Sequence, residues 1–98
     1  MAKRAAEVWL VYILRCADGT LYTGITKDLA RRTKKHNAGT ASRYTRSRRP
    51  VKLVYQEPQR GQSLALKREA AIKKLTRKQK LALIRGAIQR DVYEDETA

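Results

Sequence analysis

Ninety-eight residues is the length of one domain with a single modest core, and two independent cores would need more chain. Lys and Arg outnumber Asp and Glu 23 to 9, and a formal net charge of +14 points to a polyanionic partner, nucleic acid ahead of an anionic membrane surface. A 42% hydrophobic content argues against a disordered chain, and one Cys with one His excludes an internal disulfide and a single-chain structural zinc site.

No apolar run approaches the ~20 residues of a membrane span, so no membrane partner is expected, and the lone thiol fits a reducing, cytoplasmic compartment. Residues 1–7 read as a basic lead. Lys3 and Arg4 precede an apolar run that is short for a signal peptide and lacks a small-residue cleavage site, so Val8–Arg15 is assigned to a strand. That run is β-branched and aromatic with both faces apolar, which suits a central strand. Asp18-Gly19 is a two-residue hairpin signal, and Leu21–Ile25 is the antiparallel return. Asp28 is placed to cap a helix to about Asn37, on which Leu29, Arg32 or Thr33, and His36 share one face. Gly39 falls at the expected C-terminal cap, and residues 38–50 read as a loop. Val51–Glu57 is a third strand, stopped by Pro58. Ser63 is expected to cap a second helix to about Leu75. Thr76-Arg77-Lys78-Gln79 matches a capping box and starts a third, with Leu81, Ile84 and Ile88 as its apolar stripe. Residues 91–98 are acidic and expected to fray. The expectation is one α+β domain over residues 1–98, a three-stranded antiparallel sheet flanked by helices in the order β-β-α-β-α-α.

The charges are unevenly placed. Between Asp28 and Glu57 there are nine Lys/Arg and no acid; from Pro58 to Arg90 there are ten and a single acid, Glu69. Solubility is usually served by mixed signs, whereas a long stretch of one sign suits a phosphate footprint. Lys34, Lys35, Arg43, Arg46, Arg48, Arg49, Lys67 and Lys73 are the candidate phosphate contacts. Tyr44 lies in the densest part of this stretch and is a candidate platform for an unpaired base. Glu69 has two readings: a charge neutraliser paired with Lys73 four residues on, or a Mg²⁺ ligand. Tyr12 and Tyr22 face each other across the proposed hairpin, either as core packing or as hydroxyls that need a partner.

Val11-Tyr12-Ile13, Leu21-Tyr22-Thr23-Gly24, Leu29, Arg32, His36 and Glu69 together resemble the GIY-YIG nuclease domain over roughly residues 7–85, with the small stand-alone bacterial members nearest in character. The resemblance implies a compact α+β fold and Mg²⁺- or Mn²⁺-dependent hydrolysis of phosphodiester bonds, one ion per site. DNA is implied ahead of RNA as substrate. Tyr12 aligns with the tyrosine of the first motif, and Tyr22 and Gly24 with the second. Arg32 aligns with the family's catalytic arginine, His36 with a histidine that several members carry, and Glu69 with the metal-binding glutamate. Leu10-Val11 stands where the first motif has Gly-Ile, and the late asparagine of many members has no counterpart, Asn37 being the only Asn.

On this reading Glu69 holds the metal and Arg32 stabilises transition-state charge. Tyr12, Tyr22 or His36 serves as the base that takes the proton of the attacking water. A second reading places His36 on the helix surface or against a phosphate. With no targeting domain in the sequence, structure-selective cleavage linked to DNA repair or recombination is expected. The rivals are a non-catalytic DNA- or RNA-binding module of the same fold and an RNA-associated basic protein.

Overall fold

A computed structural model describes residues 7–86. Residues 1–6 of the basic lead, Ile88 and the acidic tail lie outside the described residues. Strands β1 (Val8–Arg15), β2 (Leu21–Thr26) and β3 (Lys52–Arg60) form one antiparallel sheet in the order β2-β1-β3. β1 is therefore central, as its two apolar faces require, and Val11, Tyr12, Ile13 and Leu14 are all fully buried. Helices α1 (Leu29–Ala38), α2 (Arg43–Arg46) and α3 (Gln62–Lys73) follow in chain order, and a further helix, α4, occupies residues 77–86.

The alternation of β1 divides the core in two. Val11 and Ile13 pack with Ala65 and Ile72 of α3, ringed by Trp9, Ile25, Val54, Leu83 and Ile84. On the opposite face Tyr12 and Leu14 pack with Cys16 and Val51, beside Tyr22, Leu29 and Leu53. Fully burying an Ile or Leu contributes about 1.5–3 kcal/mol, so Ile13, Leu14 and Ile72 are major anchors of this small domain.

Several boundaries differ from the expectation for identifiable reasons. The hairpin closes through Cys16 N to Thr20 O (2.8 Å) with Gly19 at φ 85°, so three residues lie between the bonded pair rather than two. β3 runs through Pro58 to Arg60, because it is an edge strand and a residue without an N–H is tolerated there. Gly61, not Ser63, precedes α3, and it makes no side-chain cap. α3 stops at Lys73, two residues short of Leu75. The loop after Gly39 contains α2, whose N-cap Ser42 accepts from Thr45 N (3.1 Å). The capping box before α4 is present in both halves: Thr76 N donates to Gln79 Oε1 (2.9 Å) and Gln79 N to Thr76 Oγ1 (3.2 Å). On α4, Leu83 and Ile84 meet the core, so the buried stripe is turned from the Leu81–Ile84 line.

Candidate active site

The site assembles on the Tyr12 face of the sheet. Tyr12 and Gly24 are directly paired across β1 and β2, as are Leu14 and Tyr22, so both tyrosines point the same way. The two rings stand 6.4 Å apart. A Cβ built on Gly24 would lie 2.6 Å from the Tyr12 hydroxyl oxygen, so only glycine lets that ring lie against β2.

Asp28 starts α1 by accepting from Arg31 N (3.1 Å), which fixes the rotation of the helix. Leu29, Arg32, Thr33 and His36 then face the sheet: Leu29 packs beside Tyr12, and Arg32 Nε and Thr33 Oγ1 are buried. His36 is fully buried, which removes the reading of a helix-surface or phosphate-contacting histidine. Its Nε2 lies 2.9 Å from the Tyr12 hydroxyl and its Nδ1 2.8 Å from Thr45 Oγ1. Its ring centroid is 5.0 Å from that of Tyr22 and 5.9 Å from that of Tyr12, both edge-on.

Electrostatics follow from this packing. Burial, with the nearby Arg32 cation, lowers the His36 pKa from 6.5 to about 4, so the ring is neutral near pH 7. Burial raises the Tyr12 pKa above 10.0; Arg32 pulls the other way, and the charges of Tyr22 and Glu69 add to the rise. Glu69 on α3 is thus close enough for its charge to be felt at Tyr12. Arg32 Nε is buried and has no hydrogen-bond partner among the described residues, a donor suited to a substrate oxygen.

Glu69 is largely buried along its side chain, and its one ion pair among the described residues is a loose one with Lys73 Nζ at 3.6 Å. Among the described residues no group of three or more His, Cys, Asp or Glu gathers into a metal cage. A lone carboxylate fits Mg²⁺ nevertheless, because that ion keeps several waters and takes substrate phosphate oxygens. Asn37 does not stand in for the family's late asparagine: its Oδ1 accepts from Val51 N (2.7 Å) and its Nδ2 donates to Val51 O (3.1 Å), joining α1 to β3.

The candidate phosphate contacts divide into two groups. Arg43 and Arg46 are exposed on α2, Lys34 and Lys35 on α1, and Lys67 and Lys73 on α3. Arg48 and Arg49 are occupied by hydrogen bonds within the chain, Arg49 while remaining exposed. Arg48 Nε donates to Asp18 Oδ2 (3.1 Å), its Nη1 donates to Tyr44 O (2.9 Å), and its guanidinium covers the Tyr44 ring at 3.9 Å. Arg49 Nε donates to Arg46 O (2.8 Å), and Nη1 donates to Asn37 O (3.4 Å) at the end of α1. Tyr44 remains exposed, with its ring 6.0 Å from that of Tyr22. Beside Arg32 an open cleft of about 420 Å³ is lined by Trp9, Lys27, Arg31 and Lys35.

Sequence reasoning missed Thr45 and Glu57. Thr45 is fully buried, and the signal in the sequence was Ser42 three residues earlier, an N-cap pattern inside an apparent loop. Glu57 accepts from Tyr55 (2.5 Å), Gln59 (2.7 Å) and both ways from Arg68 Nε (2.9 Å), fastening α3 to β3 one residue before Glu69. Its burial alone would raise its pKa, but these bonds outweigh it and hold the carboxyl below 4.5.

The chain matches the GIY-YIG catalytic domain over residues 8–82. It is 56% identical over 80 residues to a UPF0213 protein of Desulfotalea psychrophila, covering 81% of this chain and 73% of that one. The solution NMR structure of a UPF0213 protein from Bacillus halodurans is similar at 42% identity and a TM-score of 0.51, over 79% of this chain and 82% of that one. A solution NMR structure from E. faecalis is similar at 39% identity and a TM-score of 0.57, over 89% and 90%.

Proposed function

The chain belongs to the GIY-YIG catalytic domain family, and from that premise we propose that it is a metal-dependent endonuclease acting on DNA. Structured DNA of repair or recombination, in the cytoplasm, is the proposed substrate. One observation carries the reading most: Tyr12, Tyr22, Arg32 and His36 converge from three elements, and Arg32 Nε is a buried donor with no partner among the described residues.

The chain's own residues divide the work. Lys27, Arg31 and Lys35 in the cleft beside Arg32 receive the phosphate backbone. Arg32 binds a non-bridging oxygen of the scissile phosphate and opposes the charge that builds on it. A water attacks phosphorus in line with the leaving 3′-oxygen. Tyr12 takes a proton from that water as it passes its own to His36 Nε2, so no free phenolate has to exist beforehand. The raised pKa of Tyr12 fits this order of events. The bound phosphate also offsets the Arg32 charge that helps depress His36, making the imidazole a better acceptor when substrate is present. Glu69 would hold Mg²⁺ or Mn²⁺, which when bound supplies Lewis-acid stabilisation of the phosphate and leaving oxygen.

The test is cleavage of labelled single-stranded, duplex and branched DNA, and of RNA, in Mg²⁺ and in Mn²⁺. Wild type is compared with Glu69→Gln and Arg32→Ala. Cleavage is expected from wild type, with loss in Glu69→Gln at unchanged DNA affinity and a fall of about 10²-fold or more in Arg32→Ala. Equal activity in wild type and Glu69→Gln overturns the metal role. Binding without cleavage on every substrate selects the non-catalytic binding module.

A further inference from the structure

His36 is fully buried, and each ring nitrogen has one protein partner among the described residues. A neutral imidazole carries one N–H, so one nitrogen donates and the other accepts. The surroundings decide which. The Tyr12 hydroxyl is also fully buried; Arg32 donates to it, and His36 Nε2 at 2.9 Å is the one acceptor beside it among the described residues. Arg32, the nearest cation, has only donors and cannot take the phenol proton, and Gly24 offers no side chain. The phenol therefore donates to Nε2, and Nδ1 carries the N–H. That N–H needs an acceptor, which is Thr45 Oγ1 at 2.8 Å. The threonine hydroxyl can pass its own proton on to Ser42, whose Oγ lies 3.0 Å and whose carbonyl oxygen lies 3.5 Å away. Ser42 is in turn held by the Thr45 backbone N–H at 3.1 Å, so the chain of bonds is tied to the cap of α2.

We infer that Thr45 is a positioning residue: by accepting the Nδ1–H of His36 it fixes the imidazole in the tautomer whose Nε2 receives the Tyr12 proton. The helix that carries Thr45 also exposes Arg43 and Arg46, two candidate phosphate contacts. Displacement of α2 by a substrate thus reaches the proton acceptor through a single hydrogen bond. The tautomer stands on the hydrogen-bond geometry of a neutral ring. Its catalytic consequence rests on the assignment of Tyr12 and His36 as the proton-accepting pair.

His36 is the only histidine of the chain, so its ring nitrogens can be read without assignment ambiguity by ¹⁵N-resolved NMR. Wild type at pH 7 is expected to show a protonated Nδ1 and an unprotonated Nε2. Thr45→Val keeps the shape but lacks the hydroxyl, and it should lose that pattern for a mixture or for Nε2–H. Thr45→Ser restores the acceptor and should restore the pattern. In the cleavage assay Thr45→Val is expected to lose roughly tenfold or more in kcat with KM little changed, and Thr45→Ser to recover it. The pH–rate profile should shift in Thr45→Val alone, since the groups facing His36 remain: Tyr12 from β1, Tyr22 from β2 and Arg32 from its own helix. A wild-type ring carrying its proton on Nε2 overturns the inference and needs no variant, so it is decisive even if Thr45→Val fails to fold. Unchanged nitrogen signals in a folded Thr45→Val overturn it equally. The expected tautomers in a protein that cleaves nothing would leave the positioning role intact and defeat the nuclease reading instead.

Discussion

A single buried histidine makes stability depend on pH. His36 has a folded-state pKa of about 4 against 6.5 when unfolded. Between those values the unfolded chain holds a proton that the folded chain does not. The contribution of the neutral ring is complete above pH 6.5 and declines as pH falls towards 4. At ~1.4 kcal/mol per unit the loss is on the order of 3 kcal/mol, a large share of a small domain's stability. Urea unfolding at pH 7, 6, 5 and 4.5 should show the decline in wild type and a shallower one in His36→Gln. Parallel profiles would mean that the ring is not held neutral by the fold. The tyrosine pair, Arg32 and His36 were legible in the sequence because motif spacing and helical period place them on facing surfaces. Burial of His36 was not legible, because it depends on α2 closing over the ring from nine residues away.

At the scale of elements, what was readable was what is local. Asp28, Gly39 and the Thr76–Gln79 box cap their helices as their sequence pattern requires. The limits set at Pro58 and Ser63 failed because they depend on which strand lies at the edge and how the chain enters α3, neither of which is a local property. The arginines of α2 and of the segment that follows it show the same division. Arg49 closes the end of α1 through Arg46 O and Asn37 O, whereas Arg46 is exposed and makes no side-chain hydrogen bond among the described residues. Arg49→Ala should therefore lower stability by about 0.5–2 kcal/mol, read as a fall in Tm. Arg46→Ala should leave Tm within experimental scatter and weaken nucleic-acid binding. The reverse pattern in paired melting and binding titrations would overturn this division.

The whole molecule acts as a field. With a net charge of +14 and exposed cations on α1, α2 and α3, binding should be driven by counterion release. Engagement of about six phosphates predicts a slope of about −5 when log K for duplex DNA is plotted against log salt. A slope near zero would show that the charge serves solubility and not a phosphate track. The three-stranded sheet also bears on encounters between copies of the protein. β1 has a partner on each side, which leaves β2 and β3 with no further strand on their outer edges among the described residues. An open edge is a template for strand addition, and from there for aggregation. Along β3 the exposed Pro58 removes one backbone donor from that row, while Lys52 and Arg60 put like charges at its two ends. A second copy offering its own β3 meets a missing hydrogen bond and mutual repulsion, so a chain built to seek polyanions is discouraged from seeking itself.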